Sequence, residues 1–292
     1  MKLKASRNLK LFKMDVGQSN HMLITILVGL DGIIDGKVNV KEEFHTSWNP
    51  RSKTDSAERS KAFAKKSTLS WLVDSLDSYL SSCNTSPFLI QNIELKKKFD
   101  DVKNGRSVYN KYKLMSLEKG MIGSINTAFV DLLVCWRNRL VHNGAENELL
   151  KSSIDVFNRN IEEIFDNFNG LDIERTLISF KNSRVPTFKE VASMVRATLN
   201  YVYDVDCKLL STLNYIEYVN EIVSNYLFQG DSNRFDAIFS KTNEVKLKKI
   251  RQILQNNGFD NTNDAVVDTR CNEIASFSYK DAKQFFQRNE NR

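Results

Sequence analysis

Residues 122–144 read IGSINTAFVDLLVCWRNRLVHNG, and the choice of fold turns on this stretch. Ile122, Ile125, Phe129, Leu132, Leu133, Trp136 and Leu140 recur mostly at three- and four-residue spacing, which gathers them on one side of an α-helix. The spacing predicts a helix over residues 116–142. Asn143-Gly144 then supplies residues that adopt the left-handed conformation ending a helix. Downstream, Leu150, Ile154, Phe157, Ile161, Ile164, Phe165 and Phe168 repeat the pattern up to Asn169-Gly170. Two helices joined by so short a connection are expected to pack antiparallel.

The same periodicity extends in both directions. Asp55-Ser56-Ala57-Glu58 resembles a capping box, and Phe63, Leu69, Leu72, Val73, Leu76 and Leu80 follow it as one apolar stripe. Residues 21–34 supply a further helix, followed by a polar loop containing Trp48-Asn49-Pro50. Residues 83–115 read as a long polar insertion with a basic, tyrosine-bearing tip. Thr187-Phe188-Lys189-Glu190, directly after Pro186, is a second capping box. Val191, Met194, Val195, Leu199, Val202 and Leu209 continue the helix it opens. Helices are also expected over residues 216–227 and 243–255, the latter stopped by Asn257-Gly258, and a short strand around Ala265-Val266-Val267. The fold class is all-α: a helical bundle over residues 1–170 and a mainly helical accessory region over residues 171–292.

Composition agrees with this class. Only 11 Gly and 3 Pro in 292 residues disfavour a turn-rich β fold. No run of eighteen apolar residues exists, so no membrane span is expected, and the first twenty residues lack the apolar core of a secretion signal. The expected location is cytoplasmic. Cys83, Cys135, Cys207 and Cys271 are scattered, without the spacing of a zinc site or a disulfide framework. Reduced, mostly buried thiols are expected. Asp74, Asp77, Asp100 and Asp101 are spaced as on a helix surface or loop rather than as a metal site, so neither metal nor cofactor is expected. Nucleotide-binding glycine loops, the serine-hydrolase elbow and HExxH are all missing from the sequence.

The chemistry concentrates in Trp136-Arg137-Asn138-Arg139-Leu140-Val141-His142. Arg137 and His142 lie five residues apart, about 7.5 Å along a helix axis, so both side chains could reach one phosphodiester where the helix ends. The plain structural alternative is that Arg137 and Arg139 complement the helix dipole while His142 caps carbonyls. Net charge is +6, which permits a polyanionic partner. Tyr109 and Tyr112 among Arg106, Lys111 and Lys113 have the aromatic and basic mixture that holds single-stranded RNA.

Arg137-Asn138-x3-His142, at the end of a bundle helix and followed by a turn into the next, resembles the ribonuclease motif of the HEPN superfamily, the higher eukaryotes and prokaryotes nucleotide-binding domain. The resemblance covers roughly the first 170 residues. It implies a metal-independent endoribonuclease in which Arg137 and His142 act on the scissile phosphate, Asn138 orients them, and a homodimer brings two motifs together. Arg139, with Arg106, Tyr109, Lys111, Tyr112 and Lys113, would guide RNA. By the same analogy the role would be that of a toxin or phage-defence effector, with an antitoxin or another defence component as partner. The alternative within the family is a non-catalytic module that binds nucleic acid or protein.

Overall fold

Interrupted apolar periodicity becomes interrupted helix. The computed structural model describes residues 1–38, 41–44, 50–104, 107–141, 147–229 and 233–290. Among these the chain is all-α, with one two-residue antiparallel pair, β1 (Lys2–Leu3) and β2 (Phe259–Asp260). Its helices are α1 (Arg7–Ile34), α2 (Lys53–Cys83), α3 (Ile93–Asn104), α4 (Val108–Glu118), α5 (Ile125–Val141), α6 (Lys151–Arg159), α7 (Ile161–Asn167), α8 (Ile173–Lys181) and α9 (Phe188–Ser211). They continue as α10 (Tyr215–Phe228), α11 (Arg234–Phe239), α12 (Asn243–Asn256), α13 (Ala265–Ser276) and α14 (Tyr279–Glu290). No helix among the described residues is long and apolar enough to cross a membrane.

The chain forms two compact units, and their boundaries differ from a division at residue 170. The first unit takes residues 12–77 and 108–202; the second takes 1–11, 78–107 and 203–292. The physical reason lies in α8 and most of α9, which pack inside the first unit. Phe180 meets the Trp136 ring at 6.0 Å, and the Tyr201 hydroxyl lies 2.9 Å from that of Ser116. In the second unit α10 packs against α11, α12, α13 and α14.

Several boundaries depart from the sequence expectation. The helix expected from residue 116 is broken: α4 ends at Glu118, and Gly120 and Gly123 take positive φ before α5 begins. Leu150 to Phe168 is two helices, α6 and α7, separated at Asn160, whose φ of -121° is not helical. The polar insertion over residues 83–115 is largely α3 and α4. α2 starts at Lys53, where Ser52 Oγ accepts from the Asp55 N–H at 3.1 Å, so Ser52 takes the capping part expected of Asp55. The expected strand at Ala265-Val266-Val267 is the first turn of α13. There Asp264 Oδ1 accepts from the N–H groups of Val266 and Val267, which nucleates helix in a β-branched run. The second capping box forms as expected: Thr187 N–H donates to Glu190 Oε2 at 2.6 Å, and Glu190 N–H to Thr187 Oγ1 at 3.2 Å. Asn169 and Gly170, both at positive φ, end α7 as expected.

Each unit is organised around a buried aspartate. Asp206, 1% exposed, accepts from the N–H and hydroxyl of Ser6 at the start of α1 and from the Tyr79 hydroxyl at 3.3 Å. Asp131, fully buried, accepts from the Tyr112 hydroxyl at 2.6 Å and from the Leu150 N–H at 2.9 Å. Burial is the first cause, and neighbouring acidic groups the next, that push the Tyr79, Tyr112 and Tyr218 phenols well above their ordinary range. The folded chain therefore keeps protons that the unfolded chain releases near pH 10, and stability present below that pH is lost as pH rises beyond it. Each such phenol contributes a slope of about 1.4 kcal/mol per pH unit. Denaturant midpoints should fall steeply from pH 10 to 11, and Tyr112→Phe should flatten the fall. An unchanged midpoint across that interval would contradict this origin.

Candidate active site at the end of α5

α5 starts where Ser124 Oγ accepts from the Thr127 N–H at 3.1 Å. All ten residues over 127–136 are buried, so the helix is covered on every side rather than along one stripe. Phe129 contacts Phe157 at 5.1 Å and Phe168 at 4.7 Å between ring centroids. At the other end, Cys135 Sγ reaches the Glu148 carbonyl at 3.5 Å. Moving back along α5 thus moves forward along the following chain, which is the antiparallel arrangement expected.

Asp131 holds this region in register. Beyond its bonds to Tyr112 on α4 and Leu150 at the start of α6, its Oδ1 accepts from Cys135 Sγ at 3.7 Å. Burial, then the Asp131 carboxyl group, pushes the Cys135 thiol far above its ordinary range, so it behaves as a packed side chain and not as a nucleophile. Cys83 and Cys271 are also buried, whereas Cys207 is exposed.

Cover ends at Arg137. Arg137, Asn138, Arg139 and Leu140 are half-buried, and Val141 is exposed. Arg137 donates through Nη1 to Asn138 Oδ1 at 3.0 Å and through Nη2 to Asp74 Oδ1 at 3.3 Å. Its Nε is buried and has no hydrogen-bond partner among the described residues. Asp74, on α2, is 71% exposed, so the pair sits at the surface.

Arg139 is differently employed. Its Nε donates to the Asn147 carbonyl at 2.6 Å, its Nη1 to the Lys181 carbonyl at 3.3 Å, and its guanidinium lies 4.4 Å from the Phe180 ring centre. These contacts stitch the chain after the motif and the end of α8 to α5. Trp136 Nε1 adds a bond to the Arg184 carbonyl at 2.9 Å. The turn at the end of α8, with Lys181 and Arg184 exposed, is therefore attached beside the motif. Sequence patterns give no sign of it, because the attachment runs through backbone carbonyls some forty residues away. Asp74 was visible only as a helix-surface acid.

His142 and Arg106 lie outside the described residues. The basic, aromatic tip expected for RNA is not a tip: α4 carries it, and two of its members face inward. Tyr112 is 1% exposed and bonded to Asp131; Lys111 is 4% exposed, with Nζ 2.8 Å from Asp77 Oδ1. Packing and ion pairing with the bundle remove both from contact with RNA. Tyr109 is half-buried, its ring edge-on to that of Tyr112 at 5.4 Å, and Lys113 is exposed. An interface along α5 is also limited, since residues 127–136 are covered within the chain and only the helix end is open. Among the described residues no three His, Cys, Asp or Glu side chains gather as a metal site would need. No family model, curated protein or solved structure matches the chain.

Proposed function

We propose that the chain is an endoribonuclease of HEPN type that cleaves RNA without a metal, by attack of the 2'-hydroxyl on the adjacent phosphate. One observation carries this: the Arg137-Asn138-x3-His142 stretch begins where a fully covered helix reaches the surface, with a donor of Arg137 that has no partner among the described residues. The chemistry needs a base for the 2'-hydroxyl, an acid for the leaving oxygen and positive charge on the phosphate as it becomes pentavalent. The planar fork of Arg137 suits the last task, and the near-neutral titration of an imidazole suits the proton transfers for His142. Asn138 already holds one arm of Arg137 and orients it. With one motif histidine per chain, two histidines come from a homodimer. A role as toxin or antiviral effector, paired with an antitoxin or defence component, follows from family analogy.

The second reading is a non-catalytic HEPN module that binds nucleic acid or protein. What favours it is Asp74, whose carboxylate offsets the charge of Arg137. One experiment separates the two. A labelled RNA incubated with the purified chain in excess EDTA should be cut, leaving 2',3'-cyclic phosphate ends, while DNA of the same sequence stays intact. Binding of the RNA without cleavage supports the module, and cleavage only with added magnesium overturns the mechanism.

A further inference from the structure

A cavity of about 140 Å³ opens within the first unit, between α4, the turn before α5, α5 itself and the start of α6. Its inner wall is Tyr112, Ser116, Ala128 and Val156, none more than 7% exposed. Its mouth is Lys113, Ile122, Gly123 and Ser152, all exposed. The wall is chiefly carbon, as in most sites that take a small molecule. A closed apolar cavity of ~150 Å³ holds one benzene ring, so this one has room for a single ring and little more.

The polar groups around it select a charge. Lys113 and Asp131 are the only charged side chains lining the cavity among the described residues. Asp131 is fully buried, and its oxygens already accept from Tyr112, Leu150 and Cys135, so it is occupied. Lys113 stands at the mouth and makes no ion pair among the described residues. The start of α6 borders the same opening. Leu150 holds its capping position and offers no side-chain cap, which leaves the positive end of the helix dipole open. Ser153, in that first turn, lines the cavity and is 5% exposed, and its hydroxyl has no hydrogen-bond partner among the described residues. A buried hydroxyl ordinarily has one. A donor hydroxyl, an uncapped helix start and an ammonium around one opening form the setting an anion needs.

We propose that the cavity is a binding site for a small aromatic monocarboxylate, its ring against Ala128 and Val156 and its carboxylate at the mouth, accepting from Ser153 Oγ beside Lys113. This goes beyond the ribonuclease reading and does not rest on it. Benzoate is the probe. Ligand-observed NMR titration of the full chain should give a Kd on the order of 0.5 mM. Benzyl alcohol, a ring without the charge, and acetate, the charge without a ring, should each bind at least about tenfold more weakly. Lys113→Glu should weaken benzoate about tenfold or more without changing the binding of benzyl alcohol, and the fold is not at stake because Lys113 is exposed. Ser153→Ala should weaken benzoate about fivefold. Ala128→Leu, which fills the inner end, should remove both ring compounds; if that variant loses helical circular dichroism, Lys113→Glu and Ser153→Ala decide. A cavity that takes up no benzoate at about 10 mM (~20 times the expected Kd) and holds only water would overturn the proposal. So would equal binding of benzyl alcohol, or benzoate binding indifferent to Lys113→Glu and Ser153→Ala. Because the readout is binding, a chain that takes benzoate and leaves RNA intact counts against the ribonuclease alone.

Discussion

Arg137→Ala and His142→Ala should each lower RNA cleavage by about 1,000-fold or more while leaving the melting temperature within about 3 °C. The two effects separate because Arg137 stands where the cover of α5 ends. Its strongest described partner is the exposed Asp74, and such a surface pair contributes at most about 1 kcal/mol. Arg137→Lys should recover little, since an ammonium cannot reproduce the planar fork on two phosphate oxygens. Asp74→Asn gives a companion result: if Asp74 orients the guanidinium, cleavage falls modestly, and the asparagine keeps part of it through its own carbonyl oxygen. Near-normal cleavage by either alanine variant, or inactivity traced to unfolding, would remove the assignment.

Asp131→Ala should be strongly destabilising, at about 3–5 kcal/mol. It strands the Tyr112 hydroxyl in the interior, at about 1–3 kcal/mol, takes the acceptor from the half-buried Leu150 N–H at a smaller cost, and leaves a small void between α4, α5 and α6. Asp131→Asn should cost less, because its carbonyl still accepts from Tyr112, but its amide then faces the Leu150 N–H donor to donor. Combining Asp131→Ala with Tyr112→Phe should cost less than the two separately, as both remove the same bond. Urea unfolding of the four chains measures this, and additive losses would show that the bond is not shared. The substitution should also reduce cleavage, since Leu150 is where the chain re-enters helix after the motif.

How far the sequence announces these features depends on whether the deciding partner is local. The helix around Phe129 and Trp136 is legible because its apolar residues are spaced by the helix itself, and the box at Thr187 and Glu190 because both partners lie within one turn. The break at Asn160 is less so: apolar residues keep nearly the same phase across it, and periodicity alone cannot register one non-helical residue. Lys111 and Tyr112 misled for a related reason. A lysine beside a tyrosine reads alike whether its ammonium meets water or the carboxylate of Asp77, and only the fold decides. Asp131 is the sharpest case, since a carboxyl group amid Phe129, Leu132 and Leu133 looks like an interruption of the core and is in fact its anchor. The candidate site was half legible. Arg137 and Asn138 stand at the rim of α5 as expected, whereas Asp74, Lys181 and Arg184 arrive through contacts between distant segments.

The three-piece make-up of the second unit has a consequence for synthesis. Every segment of the first unit has emerged from the ribosome once residue 202 is clear, so its packing can be completed while the chain is still growing. Residues 1–11 and 78–107 have no such prospect. Ser6 waits for Asp206, two hundred residues later, and Leu3 waits longer still for Phe259. During that interval Leu3, Leu9, Leu89 and Phe99, all buried in the finished chain, lack the partners that cover them. The nascent protein thus passes through a stage in which the motif-bearing half is complete and these earlier segments are aggregation-prone. Translation speed through residues 203–292 then sets how long those segments stay uncovered.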